Sequence, residues 1–310
     1  MKKILVIKHG SLGDITFALE AMFAIRKKYP DSLIYLLTEK KYVSFFSKTK
    51  FFDKIIVDNR KDFLLISFLN LLKLLKENFD LIIDLQNSQR TSIYNLIFRL
   101  FNKGVICSSR PFVHIRYKIP IQGKETAKVG LSNQLKLLNI KTNTILSYDW
   151  LKVDIEEEMI TPIVLIIPGV SQGNEFKQWQ SEKFADIAKY CEQKNFRVCI
   201  VGTKLDISSA KEIIHNCSNV LNKINFSPPE VIYSIALKSS LIFSNDTGPG
   251  HIASLANNQM IWILNNNNVS KANIDDKTTN HKISADSVKN ISSQEVIQYI
   301  EKNKLLNFRN

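Results

Sequence analysis

Three short stretches carry the residue types that proton or phosphate chemistry needs. In Gly10-Ser11-Leu12-Gly13-Asp14 a single carboxylate follows two glycines and opens an apolar run of helical period. The stretch has neither the G-x-G-x-x-G spacing of a dinucleotide loop nor the Lys-Ser/Thr ending of a P-loop. Its chemistry therefore rests on Asp14, as an N-cap that accepts backbone N–H groups or as a catalytic carboxylate. The second stretch is Asn245-Asp246-Thr247-Gly248-Pro249-Gly250-His251. Gly248 and Gly250 present no Cβ to a ligand approaching their amides, and N–H groups at a helix start bind phosphate oxygens; a capped turn is the alternative. In the third, Lys177-Gln178-Trp179, the lysine offers a point charge to phosphate or to solvent.

Each stretch needs a strand to deliver it. Lys3–Lys8 reads as a strand ahead of the Asp14 loop, and Ile15–Tyr29 as the helix behind it, with Pro30 just beyond. The alternation continues through strands at Leu33–Leu37, Lys54–Val57 and Asp80–Asp84 and helices at Lys40–Ser47, Phe63–Glu77 and Ser88–Phe101. After the acidic, proline-marked stretch from Asp154 to Pro162 a second series begins. It has strands at Pro162–Ile167, Phe196–Val201, Leu241–Ser244 and Met260–Leu264, and helices at Glu182–Lys194, Leu205–His215, Pro229–Leu237 and Gly250–Asn257. Such alternation implies right-handed crossovers and parallel sheets covered on both faces. The expectation is an α/β protein of two Rossmann-like domains, residues 1–155 and 156–310, facing each other across a cleft, with the last helix free to pack back on the first domain. Ligands then belong at the carboxyl ends of the strands. The run Asn265 to Asn268 reads as a loop.

Composition narrows the class. The 310 residues are 45% hydrophobic, enough for two ordinary cores. The greasiest stretch, Phe63–Leu75, is interrupted by Ser67, Asn70 and Lys73, far from the about 18 apolar residues of a membrane span. It fits either a buried helix or one that dips into a bilayer interface. The start lacks a signal-peptide core, so a cytoplasmic protein is expected. Cys107, Cys191, Cys199 and Cys217 form no C-x-x-C pair, which points to buried reduced thiols rather than zinc or disulfides. The net charge of +13 lies wholly in residues 1–150, where 25 Lys and Arg face 12 Asp and Glu; residues 151–310 hold 17 of each. One half is thus suited to an anionic partner, a phosphorylated substrate, a membrane surface or nucleic acid, and the lack of a helix-turn-helix or RNP pattern argues against nucleic acid.

Together the three stretches resemble glycosyltransferase family 9, the heptosyltransferase-like enzymes of lipopolysaccharide core assembly, which share the two-domain GT-B fold. Ile4–Ile15, with Ala24-Ile25-Arg26 and Pro30-Asp31 after it, resembles the family's opening signature, and Phe79–Gln86 its fourth strand. Pro168-Gly169 with Lys177-Gln178-Trp179, and Ser244–Ala253, resemble its two donor-side segments. The resemblance implies a metal-independent, cofactor-free, inverting transfer from a nucleotide sugar, typically ADP-heptose, held by the second domain, to an anionic glycolipid or glycan held by the first. Asp14 would be the base. Lys177, Thr247, Gly248, Pro249, Gly250 and His251 would hold the diphosphate, supported by Asp246, while Asp206 would accept ribose hydroxyls. Acceptor-side candidates are Ser11, Gly13, His114 and Arg116, the last two within the basic stretch Arg110–Lys118, which also suits peripheral contact with the inner membrane face. The chain departs from the family at Gly250, Gln180 and Asn265–Asn268, the last of which leaves the donor's base and sugar open. A sugar-nucleotide epimerase or hydrolase, or a basic polyanion-binding protein, are the competing functions.

Overall fold

The computed structural model describes residues 1–59, 71–120, 125–143, 145–155, 162–270 and 272–306. The chain divides into two compact units, Met1–Trp150 and Leu151–Asn310, each with a six-stranded sheet in which every pairing is parallel. The chain passes from one to the other within a few residues. Trp150 packs edge-on against Phe45 (5.2 Å between ring centroids) and Phe51 in the first unit, whereas the Val153 N–H donates to Ser234 Oγ in the second.

The first sheet has the order β3-β2-β1-β4-β5-β6, from β1 (Lys3–Ile7), β2 (Leu33–Thr38), β3 (Lys54–Val57), β4 (Leu81–Asp84), β5 (Val105–Ser108) and β6 (Ile115–Arg116). The order reverses between β1 and β4, and in open α/β sheets that reversal leaves a crevice beyond the carboxyl ends of the two strands. The second sheet runs β12-β11-β10-β7-β8-β9, from β7 (Ile163–Ile167), β8 (Arg197–Gly202), β9 (Val220–Ile224), β10 (Ser239–Asn245), β11 (Met260–Asn265) and β12 (Asn280–Ala285). Its reversal lies between β7 and β10.

The inner strands are buried along their length, as expected of parallel sheets covered on both faces. In β4, β7 and β10 every residue is buried. Leu5, Ile7, Leu37, Phe79, Ile82 and Phe98 belong to the core of the first unit; Ile166, Trp179, Phe184, Phe243, Ile263 and Val296 belong to that of the second. Leu71 and Leu74 of the expected helix Phe63–Glu77 join the first core, while residues 63–70 of that helix lie outside the described residues.

Several elements differ from expectation. The strands β5, β6, β9 and β12 and the helix Ala127–Lys136 were not anticipated. Three of these strands, β6, β9 and β12, are sheet edges with a solvated side, as in the mixed burial of β9 and β12, so they lack a continuous apolar run. The expected helix Gly250–Asn257 is Gly248–Ser254, since Pro249 fits the first helical turn and draws the start forward. Asn265–Asn268 is not open loop: Asn266–Asn268 forms a 3-10 turn, with the Asn265 side chain accepting from the Asn267 N–H (2.9 Å). The Ser293 hydroxyl of helix Ser293–Lys302 donates to Asp186 (2.6 Å) on helix Ser181–Gln193.

Candidate functional site

In the first unit the crevice between β1 and β4 is shaped by two turns. At the end of β1, Gly10 takes φ +113°, a conformation that side chains other than hydrogen rarely adopt, and a Cβ there would collide with Asp14 Oδ2. The turn is held by Gly10 N–H donating to Glu39 (3.1 Å) and by the Tyr42 hydroxyl donating to Gly10 O (2.9 Å). Helix Leu12–Lys28 then starts from a capping box. Ser11, not Asp14, is the N-cap; Asp14 stands at the third helical position, where its Oδ2 accepts both the Ser11 N–H and the Ser11 hydroxyl at 2.8 Å. Asp14 is exposed, and its Oδ1 is not used in this box.

At the end of β4, the fully buried Asp84 fixes the second turn. Its Oδ1 accepts the N–H groups of Gln86 and Asn87 (3.0 Å each), and its Oδ2 accepts from Asn95 (3.1 Å) and the Ser108 hydroxyl (2.9 Å). Gln86 in turn accepts the His9 N–H (2.9 Å), tying the two turns together.

Between these turns lies a cavity of about 260 Å³ whose lining includes Lys8, Asp14, Phe17, Gln86, Tyr117 and Glu125. Of the acceptor-side candidates, Ser11 touches Asp14 directly and Gly13 is buried in the first helical turn. His114 and Arg116 are not among the lining residues. His114 Nδ1 accepts the Ile106 N–H (3.1 Å), and burial together with nearby Arg99 pushes its pKa below the ordinary histidine value. Arg116 Nε donates to Ser109 O (3.2 Å). Sequence reasoning passed over Lys8 and Glu125: a lysine ending a strand and a lone glutamate carry no spacing signal.

In the second unit the crevice lies between β7 and β10. Asn245, the fully buried last residue of β10, spans it: its Nδ2 donates to Pro168 O beyond β7 (2.8 Å), and its Oδ1 accepts the Trp179 N–H (3.1 Å). Trp179 is itself fully buried, with its indole N–H on Ile291 O (3.0 Å) and its ring edge-on to Phe184. That anchor sets Lys177, two residues earlier, against the next residue of the other loop: Lys177 Nζ is 2.6 Å from Asp246 Oδ2. Asp246 Oδ1 lies 3.2 Å from His251 Nε2, and the imidazole packs on the Trp262 ring (5.0 Å between centroids). Burial would raise the Asp246 carboxyl, but the hydrogen bonds from His251 and Lys177 outweigh it and hold the pKa below the ordinary aspartate value.

The helix Gly248–Ser254 opens beside this cluster with Thr247 as its N-cap. Pro249 has no N–H, and His251 N–H is spent on Thr247 O (3.1 Å), so Gly248 and Gly250 supply the N–H groups of the first turn. Gly250 is required by packing, because a Cβ there would meet Ser244 Oγ and the Trp262 ring. Asp206 lies in the turn after β8. It is the third residue of another capping box, its Oδ2 accepting the Thr203 N–H (2.7 Å) and hydroxyl (2.9 Å), and its carboxylate fills the space a Cβ on Gly169 would need. Among the described residues no three His, Cys, Asp or Glu are grouped so as to hold a metal ion.

Both units therefore place polar side chains at the reversal of strand order, where an α/β sheet binds ligands. A lipopolysaccharide heptosyltransferase 1 of Campylobacter coli is 27% identical to this chain over 287 residues, 84% of the chain and 83% of the relative. Among solved structures, a family 9 glycosyl transferase from Veillonella parvula superposes with a TM-score of 0.78 over 97% of this chain and 96% of that one, at 19% identity. The E. coli heptosyltransferase WaaC with ADP-2-deoxy-2-fluoro heptose gives 0.76 over 97% and 99%, at 16% identity. The two-sheet architecture is thus the GT-B fold of these enzymes. The model of glycosyltransferase family 9 (heptosyltransferase) matches residues 68–271, most of the chain, and the protein belongs to that family of glycosyltransferases.

Proposed function

We propose that the protein transfers heptose, with inversion and without a metal, from ADP-heptose to a sugar hydroxyl of a lipopolysaccharide core-type acceptor at the inner face of the membrane. The donor is inferred from the solved relative that carries a fluorinated ADP-heptose, and the acceptor from the curated relative's lipopolysaccharide activity. The observation that carries the chemistry is Asp14, whose Oδ2 is engaged by Ser11 while Oδ1 is left for a proton. In the transfer the acceptor hydroxyl gives its proton to Asp14 Oδ1 as its oxygen bonds to the anomeric carbon. The bond from that carbon to the diphosphate breaks on the opposite face, and its electron pair leaves with the diphosphate.

Lys177 and the first-turn amides of helix Gly248–Ser254 supply positive charge where negative charge accumulates. The excess of cations over carboxylates in residues 1–150 favours a phosphorylated acceptor and an anionic membrane surface. No helix of the described residues is long and apolar enough to cross a membrane, so the contact proposed is peripheral. The test is transfer from ADP-heptose to the deacylated inner core of a heptose-deficient lipopolysaccharide, with the anomeric configuration of the product read by NMR. A retained anomer, activity only with another nucleotide sugar, or hydrolysis or epimerisation without transfer would each overturn this reading.

A further inference from the structure

The chemistry of Lys8, in the first unit, is not used by anything above. It directly follows β1, it is 6% exposed, and it lines the cavity that contains Asp14. Its backbone N–H bonds to Leu37 O (3.0 Å), but its ammonium makes no hydrogen bond and no ion pair within 4 Å among the described residues. Burial pushes its pKa below the ordinary lysine value, against the opposing pull of Asp14 and Asp84. A buried ammonium costs stability unless its donors are used. Three donors on a residue that lines a cavity, with no hydrogen-bond partner among the described residues, mark a place where a ligand supplies the oxygen.

The surrounding groups define that oxygen. Asp84 is already engaged by four donors, and Glu125 accepts from the Tyr117 hydroxyl (2.6 and 2.8 Å) and from Asn133. With these two carboxylates and Asp14 nearby, another anion inside the cavity would meet repulsion, whereas a neutral hydroxyl would not. Phe17, Leu85, Ile119 and Leu131 give the same cavity apolar walls, and a sugar ring presents both an apolar face and hydroxyl groups. We propose that Lys8 is an acceptor-binding residue, its ammonium donating to a hydroxyl oxygen of the acceptor sugar that enters the Asp14 cavity, so that Lys8 and Asp14 hold one sugar from its acceptor and donor sides. The acidic groups of the acceptor then stay outside the cavity, on the basic surface of the unit. This inference rests on the reading of Asp14 as the base on the acceptor side.

The test uses the full-length protein with ADP-heptose and the deacylated inner core as probes. Lys8→Met and Lys8→Gln are expected to lower kcat/KM for the acceptor by about 10- to 100-fold, the loss expected when a charged donor is removed. ADP affinity measured by calorimetry should be unchanged. Both variants should melt at or above the wild-type temperature, because an unused buried charge has been removed. Lower melting temperatures in both would assign Lys8 to the scaffold and overturn the proposal, as would stable variants with wild-type acceptor kinetics. Asp14→Asn, assayed in parallel, separates the two readings: if it is inactive while the Lys8 variants are normal, only the Lys8 assignment fails. If Asp14→Asn transfers normally, the base assignment fails first.

Discussion

Lys177 and Asp246 are 69 residues apart in the chain and 2.6 Å apart across the β7–β10 crevice. The aspartate neutralises the lysine, and His251 completes the cluster on the other carboxylate oxygen. A diphosphate arriving at the helix start would compete with Asp246 for the same ammonium. Lys177→Ala should therefore weaken ADP binding by about 1.5–3 kcal/mol, the worth of a hydrogen bond to a charged group. Adenosine binding should scarcely change. Calorimetric titration of both ligands decides it, and equal losses would remove Lys177 from the phosphate site.

Asp14→Asn should lower turnover by about 10²- to 10⁴-fold, as for a lost general base. The amide oxygen can still accept from Ser11, so the capping box and the melting temperature should persist, and ADP affinity with them. Near-normal transfer by this variant would reduce Asp14 to a helix-start residue.

The Asp246 cluster also predicts an acid dependence. Its carboxyl is held below the ordinary aspartate value, so the unfolded chain takes up this proton at higher pH than the folded one. The stabilisation is complete above the ordinary value of 3.8 and is lost as pH falls below it, through the folded-state pKa. Asp246→Asn should flatten the pH dependence of stability in that acidic window. Denaturant midpoints compared between pH 3 and 6 would show it; parallel curves would mean the cluster contributes nothing to folding.

All four cysteines are free and buried, and burial pushes the Cys107 and Cys199 thiols up to about 12 and that of Cys217 to about 11, with Cys191 raised as well. Thiolate is the reactive form. Native protein should react with Ellman's reagent only as fast as it unfolds, and a rapid phase of even one thiol would contradict this.

The charge asymmetry is tested by salt. Acceptor KM should rise with ionic strength, while ADP binding responds less. Reversing Arg116 and Lys118 to glutamate should raise acceptor KM with little effect on donor KM. Flat acceptor kinetics under both treatments would leave the basic half as a solvated surface.

The inner strands were legible in sequence because burial on both faces writes them as unbroken apolar runs, as in Ile163–Ile167. The polar edges Val220–Ile224 and Asn280–Ala285 were not, since a half-solvated strand resembles a loop in composition. The same limit applies to the site. Asp14, Lys177 and Asp246 stood out through glycines and neighbouring signatures, and the last two proved to be in contact. Ser11 as the true cap depends on backbone geometry at Gly10, and Lys8 became visible only once β1 and β4 had closed a cavity around it. His114 and Arg116 are not in the lining of that cavity, because a basic stretch reveals charge but not which way each side chain turns.

The handover between Trp150 and Val153 has a consequence for how such proteins diversify. Each unit closes its own sheet over its own core, and the chain leaves one packing environment for the other within three residues. A recombination event at that junction would cut no strand and empty no core. Chimeras joined there, pairing residues 1–150 with the second unit of a relative, are expected to fold and to inherit each specificity from its own parent. The two halves of a glycosidic linkage would then be separately heritable traits.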